Sequence, residues 1–357
     1  MSGTSLDGVD AVLAEIAPSG EPRLLHTHYL PYSDGLRAQL LALHAPQPDE
    51  IHLAAIAANT LARLYAEAVS ALLARFDSAR VLAIGCHGQT LRHRPAEGYT
   101  LQIGNASLLA ELTRITVVAD FRSRDIAAGG QGAPLVPAFH ARVLRDPDAH
   151  RVIANIGGIA NITDLPASGP VRGWDTGPGN MLLDAWVKRH HGTHYDRDGA
   201  WAASGTIHPG LLSALARHEY LQCPPPKSAG REQFNLDWLD TLLSGLNETI
   251  TPADVQATLL EFTATSLADA ISRECHGAQA LYVCGGGAHN NTLMQRIRTL
   301  LPGIQVATTA ALGIDPDWVE ALAFAWLARQ ALHHAPGNLP AVTGARGERI
   351  LGAIYPA

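Results

Sequence analysis

The sequence has only four cysteines in 357 residues: Cys86, Cys223, Cys275 and Cys284. They form no CxxC pair, which excludes a disulfide framework and a cysteine-based metal site and implies a reduced, cytoplasmic setting. Charge is also scarce: 17% of residues are charged, against roughly 25% in soluble domains. Lys+Arg number 26 and Asp+Glu 33, a net charge of −7. Non-specific nucleic-acid binding needs the opposite surplus, so no nucleic-acid partner is expected. No run approaches the ~18 apolar residues of a membrane span, and no basic amphipathic face is present. The opening MSGTSLDGVD has neither a basic nor an apolar leader region, so neither a signal peptide nor a membrane partner is expected. There is no GxxxxGK(S/T) and no well-placed GxGxxG, which removes the P-loop and the Rossmann dinucleotide site. The 17 histidines include the pairs His190/His191 and His333/His334. Without a third ligand nearby, these read as solvated surface rather than zinc sites.

Apolar residues make up 47% of the chain. That is ample for a core and excludes disorder as the dominant state. The length suggests two domains or one large one. Short apolar runs ending in glycine or polar turns predict strands at 81–85, 116–120, 152–158 and 280–287. Apolar residues at helical spacing predict helices over 50–76, 135–144, 181–190, 251–273 and 318–333, with a further one from Thr292. Thr251-Pro252 is a strong helix start, a capping hydroxyl followed by proline in the first turn. Interleaved strands and helices indicate an α/β protein. The glycine-rich stretch at 127–132 suits either an interdomain joint or a binding loop.

Four turns rich in small residues carry the chemical signal. The first, Gly3-Thr-Ser-Leu-Asp-Gly-Val-Asp10, combines glycines, hydroxyls and two carboxylates. It reads as a phosphate cradle with oxygen ligands for Mg²⁺, as a β-hairpin turn, or as both. The second is Asn155-Ile-Gly-Gly-Ile-Ala-Asn161. The third, Asp175-Thr-Gly-Pro-Gly-Asn180, opens a helix, where free amides favour anions. Its aspartate suits a metal ligand or general base, and equally an Asx turn or cap. The fourth, Cys284-Gly-Gly-Gly-Ala-His-Asn-Asn291, leaves room for a nucleobase or phosphate. Their order matches the two phosphate motifs and the adenosine motif of the actin, Hsp70 and sugar-kinase superfamily.

Longer segments narrow the match. MSGTSLDGVD, Cys86-His-Gly-Gln-Thr90, Val118-Ala-Asp-Phe-Arg122, residues 125–137, 155–161, 175–186, 195–201, 226–235 and 284–291, and the closing Gly352-Ala-Ile-Tyr-Pro-Ala357 span the chain. Together they resemble the anhydro-N-acetylmuramic acid kinases. The resemblance implies a two-domain actin-like, ribonuclease H-like α/β fold with a central interdomain cleft. Residues 1–130, completed by 340–357, would form one domain and 131–339 the other. It implies ATP-dependent, hydrolytic opening of 1,6-anhydro-N-acetylmuramic acid with phosphorylation of O6, using Mg²⁺, in cytoplasmic peptidoglycan recycling. A homodimer is a family expectation. Family members carry an apolar strand ahead of the MSGTSLDG segment. The resemblance therefore implies either an upstream start or an incomplete first strand, which would leave a neighbouring strand unpaired.

The resemblance also distributes roles. Asp175 would be the base that activates water. Gly3, Thr4, Ser5, Leu6, Asp7, Gly8, Val9 and Asp10 would cradle the phosphates, with Asp7 as the Mg²⁺ ligand through water. Gly157, Gly158 and Asn161 would line the phosphate path, and Gly285, Gly286, Gly287 and Asn290 would flank the adenosine. Thr90, Arg122, Gln131 and Glu320, together with Asp175, would contact the sugar. Arg122 suits a lactyl carboxylate; the alternative is an ion pair with Asp120 or Asp125. Glu320 lies on an apolar helix and so needs a partner. Asp196 and Asp198 read as a surface turn, and Lys227 and Arg231 as a phosphate contact or a solvated loop. Rival readings are a hydroxyl-directed sugar or acetate kinase, a non-enzymatic sugar-responsive regulator, and an actin- or Hsp70-like ATPase.

Overall fold

The computed structural model describes residues 1–3, 6–74, 76, 80–230, 233–246 and 248–357. Thr4, Ser5 and Arg231 lie outside these. The strands in chain order are β1 (Gly8–Ile16), β2 (Pro22–Pro31), β3 (Ile84–Gly85), β4 (Gln89–Arg94), β5 (Tyr99–Ile103) and β6 (Val117–Ala119). They continue with β7 (Arg151–Ile156), β8 (Ile159–Leu165), β9 (Arg172–Pro178), β10 (Ala280–Cys284), β11 (Gln305–Thr308) and β12 (Ala353–Tyr355). The chain divides into two compact units. Unit 1 is Met1–Leu144 with Trp318–Ala357, and unit 2 is Arg145–Asp317. The sequence expectation set these divisions at 130/131 and 339/340. Between the two sets of limits lie helix Val136–Val143 and helix Val319–Leu332, which meet in unit 1 through the edge-on rings of Phe139 and Trp326.

In unit 1, β1 and β2 form an antiparallel hairpin. β3 and β6 run parallel, and the carboxy-terminal β12 adds antiparallel to β6. β4 and β5 make a second hairpin. Helix Glu50–Leu73 buries Ala57, Leu61, Ala62, Tyr65, Ala68 and Leu72; of the apolar face expected from Ile51, Ala54/Ala55, Leu61, Leu64/Tyr65, Val69 and Leu72/Leu73, only Leu61, Tyr65 and Leu72 are buried, and Ile51 is exposed. Only Ile84–Gly85 of the expected strand 81–85 pairs.

Unit 2 is built on one five-stranded sheet in the order β11-β10-β7-β8-β9. β7, β10 and β11 are parallel, and β8 and β9 antiparallel. Val152, Ile153, Ala154 and Ile156 of β7 are all buried, as a strand covered on both faces requires. Helix Pro252–Glu274 is buried along most of its length, and the Thr251 hydroxyl accepts from the amide of Asp254 as the cap residue expected. Among the described residues no helix is long and apolar enough to cross a membrane.

Candidate active site

In unit 2, three of the four glycine turns meet at one end of the sheet. The turn after β7 presents the carbonyls of Gly157 and Gly158. They accept from Asn180 N at 2.8 Å and Gly179 N at 2.9 Å, with Met181 N also on Gly158 at 3.1 Å. The β7–β8 turn is thereby clamped to the turn that opens helix Met181–His191. Glycine is required at 179, because a Cβ there would stand 2.3 Å from the Gly157 carbonyl. The Asn180 amide donates to Ile156 O at 3.1 Å. On the other side, β10 pairs Cys284 with Asn155 and hands over to Gly285 at φ +77°. A Cβ on Gly285 would lie 2.3 Å from Asn155 Oδ1, and one on Gly287 2.4 Å from Ile156. The backbone of 285–287 therefore lies directly against the end of β7.

Register then sets a row of polar side chains. Asn155 stands opposite Asn161, and Asn161 opposite Asp175, across β7, β8 and β9. Directly opposed residues share a face, so this row borders the glycine turns. Asn155 is buried, and its Oδ1 has no hydrogen-bond partner among the described residues. A buried acceptor without a donor is costly, and a bound ligand is one way to satisfy it.

Asp175 is half-buried in β9 and tied down on three sides. Its amide donates to Lys227 O at 3.2 Å, its carbonyl accepts from the Tyr220 hydroxyl at 2.8 Å, and its carboxylate Oδ2 accepts from Ala229 N at 2.8 Å. Burial, then the charge of Asp175, pushes the Tyr220 phenol up, keeping it a donor at neutral pH. Lys227 donates to the carbonyls of Tyr220 and Leu221 and lies over the Tyr220 ring, 4.6 Å from its centre. It thus secures the loop that supplies the Ala229 amide. Asn290 caps helix Asn291–Leu300 through Oδ1 on Leu293 N at 3.0 Å, so that oxygen is committed to structure. Asp196 accepts from the amides of Trp201 and Ala202, the structural turn expected of it.

Unit 1 carries the remaining candidates in two groups. In the first, the carbonyl of Asp7 accepts from Tyr32 N and from the Tyr29 hydroxyl, while the Asp7 side chain is exposed. Burial first, then the carboxylates of Asp7 and Asp10, raise the Tyr29 phenol to about 12, so both charges act at one place. Two oxygen donors of this kind suit Mg²⁺, which takes one or two protein carboxylates and completes its shell with water and phosphate. Among the described residues no cluster of three or more metal-ligating side chains exists. Leu6 and Val9 are buried, so they anchor the turn through their side chains, and a Cβ on Gly8 would stand 2.6 Å from the Leu30 carbonyl.

The second group surrounds Arg122. Its Nε and Nη2 donate to His87 Nε2 at 3.2 and 3.0 Å, and its Nη1 to the Gly132 carbonyl at 2.7 Å. His87 Nδ1 donates to Gly88 O at 2.7 Å. Burial first, then the Arg122 charge, holds His87 well below the ordinary histidine range, so it stays neutral and Nε2 stays an acceptor. Asp125, the alternative partner for Arg122, is buried and accepts from Gly132 N, Asn338 and Thr343; Asp120 accepts from Ser123. His93 is held to about 4, by burial and then by Arg122. From His93 a chain of hydrogen bonds runs through Thr100 and Gln102 to Thr90. Gln131 is exposed, its amide bound to Thr343 O at 2.7 Å. Glu320 stands half-buried in the first turn of its helix, and its charge acts on the buried Met1 ammonium. Thr90, Arg122, Gln131 and Glu320 thus all belong to unit 1. The sequence reading gave no role to Asn155, His87, Tyr220 or the Ala229 amide, although Asn155 opens the second glycine turn, His87 lies inside the Cys86-His-Gly-Gln-Thr90 motif and Ala229 lies in the segment 226–235.

A family model described as anhydro-N-acetylmuramic acid kinase matches residues 1–357. A protein of Thiobacillus denitrificans with that name is 74% identical over 357 residues, covering 100% of this chain and 96% of the relative. Namesakes from Nitrosomonas europaea and Pseudomonas putida are each 56% identical, covering 100% of this chain and 98% of their own. Among solved structures, a ROK family glucokinase from Streptomyces griseus in complex with glucose and AMPPNP aligns with TM-score 0.39 and 14% identity, over 90% of this chain and 99% of that one. The Acidaminococcus fermentans (R)-2-hydroxyglutaryl-CoA dehydratase component A aligns with TM-score 0.45 and 11% identity, over 89% and 96%. Likenesses this distant bear on neither site nor substrate.

Proposed function

The chain belongs to the anhydro-N-acetylmuramic acid kinase family, and on that premise we propose how its residues divide the reaction. It is an ATP-dependent kinase that hydrolytically opens 1,6-anhydro-N-acetylmuramic acid and phosphorylates O6, giving N-acetylmuramic acid 6-phosphate in peptidoglycan recycling. The substrate's chemistry dictates coupling. O6 is tied into the bridge to C1, so no free hydroxyl exists until that bond breaks. Water adds to C1, the C1–O6 electron pair goes to O6, and O6 takes the γ-phosphoryl group as ADP leaves. The proton lost by water goes to a base.

Asp175 is that base. The observation that carries the assignment is its fixation: the Ala229 amide holds Oδ2, and Tyr220 and Lys227 hold the backbone. A carboxylate so oriented can take a proton from a water on the face opposite the leaving oxygen, as in an inverting glycosidase. The glycine turns at 157–158 and 285–287, with Asn155 and Asn161, take the nucleotide. The amides of Gly179, Asn180 and Met181 are spent on the Gly157 and Gly158 carbonyls, so the free anion-binding amides expected at the start of helix Met181–His191 are not available, and the unpartnered Asn155 Oδ1 is the group that would accept a donor from the ligand. Gly3, Leu6, Asp7, Gly8, Val9 and Asp10 form the second phosphate turn. Asp7, with Asp10, would hold Mg²⁺ through water; the ion supplies charge neutralisation on the phosphates. Arg122, steered by neutral His87, pairs with the lactyl carboxylate of the sugar, and Thr90, Gln131 and Glu320 take its hydroxyl and amide groups. This reading implies a cytoplasmic reaction, where ATP is at hand, and the family resemblance implies a homodimer, which sedimentation would test.

The test is Asp175→Asn, assayed with 1,6-anhydro-N-acetylmuramic acid and ATP beside a thermal melt. The variant should melt near the parent and lose about 10²- to 10⁴-fold in kcat. A folded variant with near-parental turnover ends the assignment.

A further inference from the structure

By sequence the glycine-rich stretch 127–132 suits either a joint or a binding loop, and its hydrogen bonds remove the freedom that a joint needs. Four consecutive amides are committed. Gly129 N donates to Ile126 O at 2.8 Å, Gly130 N to Asp125 O at 3.0 Å, Gln131 N to Thr343 O at 2.7 Å and Gly132 N to Asp125 Oδ2 at 2.8 Å. Gly130 and Gly132 are buried, and Gln131 between them is exposed. Glycine is required at 130, because a Cβ there would overlap Asp125 Oδ2.

Asp125 lies in helix Ser123–Ala127 and is fully buried. Its other oxygen, Oδ1, accepts from Asn338 Nδ2 at 2.7 Å and from the Thr343 hydroxyl at 2.8 Å. Both donors are buried, and they lie 213 and 218 residues away in sequence. Asn338 is fixed in turn, its Oδ1 accepting from Arg349 N at 2.7 Å. Thr343 binds twice, its hydroxyl on Asp125 and its carbonyl on Gln131 N. One carboxylate thus ties together three segments of unit 1: its own helix, the loop and the carboxy-terminal stretch. Burying a carboxylate is costly, and apolar packing holds a loop at less cost. Two oxygens accepting from three donors add direction.

That direction reaches Arg122 through a single residue. Gly132 donates its amide to Asp125, and its carbonyl accepts from Arg122 Nη1 at 2.7 Å. His87 Nε2 takes the edge of the guanidinium formed by Nε and Nη2. The plane of Arg122 is therefore set by His87 on one side and by the Asp125–Gly132 link on the other.

We propose that Asp125 is a positioning residue that makes this site selective for a carboxylate-bearing sugar. It fixes Gly132 so that Arg122 meets the lactyl carboxylate, and it holds the loop that carries Gln131. The inference rests on the reading of Arg122 and Gln131 as sugar contacts, and it adds the group that aims them. Selection between the lactyl-bearing sugar and its lactyl-free counterpart, 1,6-anhydro-N-acetylglucosamine, then depends on a residue that touches neither.

The experiment uses Asp125→Asn, Thr343→Val and the exchange Asp125→Asn/Asn338→Asp. An amide has one acceptor oxygen where a carboxylate has two, so asparagine at 125 turns its nitrogen toward one of the present donors. In the exchange variant the roles reverse: the amide at 125 accepts from Gly132 N and donates to the carboxylate at 338. Turnover of both sugars with ATP is measured beside a thermal melt. Asp125→Asn should raise KM for 1,6-anhydro-N-acetylmuramic acid about tenfold, the size of one broken buried hydrogen bond, with kcat and the KM for ATP nearly unchanged. The kcat/KM preference for the lactyl-bearing sugar should fall by the same factor. Thr343→Val removes one donor and should move both values the same way by less, which keeps the test open where Asp125→Asn does not fold. The exchange variant should recover both values. Arg122→Ala, run alongside, separates this inference from the reading under it. If Arg122→Ala keeps the preference, that reading and the inference fall together. If Arg122→Ala abolishes it while folded Asp125→Asn and Thr343→Val keep it, the inference alone is overturned. A lowered melting temperature with unchanged preference makes Asp125 structural only, and a loss confined to kcat places it in the chemical step; either overturns the proposal. So does a folded exchange variant that does not recover the preference, which would assign the effect to charge at 125 rather than to position.

Discussion

At the scale of single residues, the account turns on groups fixed by backbone rather than by charge. The Asp175 carboxylate is oriented by the Ala229 amide, so Ala229→Pro, which deletes that donor, should lower kcat more than it raises KM. Steady-state kinetics on the folded variant check the split. Gly285 is the sharper case. At φ +77°, with Asn155 Oδ1 2.3 Å from any Cβ, Gly285→Ala should cost about 1–3 kcal/mol of stability and weaken ATP binding. A melt and an ATP titration read the two effects separately. The His87–Arg122 pair makes a third. His87→Phe keeps the ring against Phe324, 4.6 Å away, but removes the acceptor for Arg122. KM for the sugar should rise with little change in kcat. Much of this scale was legible in the sequence, because glycine, aspartate and asparagine at turn spacing have few structural meanings. The Asn155–Asn161–Asp175 row was not, since register across three strands, with a shift at Ala160/Asn161, is set by pairing partners far away in sequence.

At the scale of elements, periodicity predicted the long helices well, because their apolar faces are wide. Helix Glu50–Leu73 ends three residues short of its expected end, and helix Pro252–Glu274 starts at its predicted cap. Thr251→Ala should therefore cost about 1 kcal/mol, seen as a lowered melting temperature with kinetics unchanged. The strands of unit 1 were harder to read. Residues 81–85 are as apolar as a buried strand, yet only Ile84–Gly85 pairs, on β6, and the other edge faces a cavity beside β1. Apolar composition reports burial and says nothing about which neighbour supplies the ladder. The hairpin reading of Gly3 to Asp10 and the phosphate reading are compatible. Met1 and Asp10 close the turn, and its carboxylates lie together beside Tyr29.

At the scale of the whole molecule, the buried His87 and His140 and the half-buried His93 tie stability to pH. His87 lies well below the usual range, His93 is at about 4 and His140 at about 3, in each case chiefly through burial. Each is neutral when folded and titrates near 6.5 when unfolded, so below pH 6.5 the unfolded chain binds more protons. Stability is then full above about pH 6.5 and falls as pH drops toward 4, by up to ~1.4 kcal/mol per pH unit for each histidine. Urea melts at pH 7.5, 6 and 5 should show the decline, and His140→Phe should flatten it. The division into units was partly hidden in the sequence. Helix Val319–Leu332 follows unit 2 in the chain but packs in unit 1, a long-range choice that no local pattern encodes.

The central claim is that bridge opening and phosphoryl transfer are one coupled event, driven by water that Asp175 activates. The most direct measurement is a rapid-quench turnover of 1,6-anhydro-N-acetylmuramic acid with ATP and Mg²⁺ in ¹⁸O-water, with the product located by mass spectrometry. The account predicts a 6-phosphorylated N-acetylmuramic acid carrying ¹⁸O at C1 and ¹⁶O in the phosphate ester, formed by the parent chain and not by Asp175→Asn. An unlabelled C1 oxygen at early times, or the same labelled product at the same rate from Asp175→Asn, would contradict it.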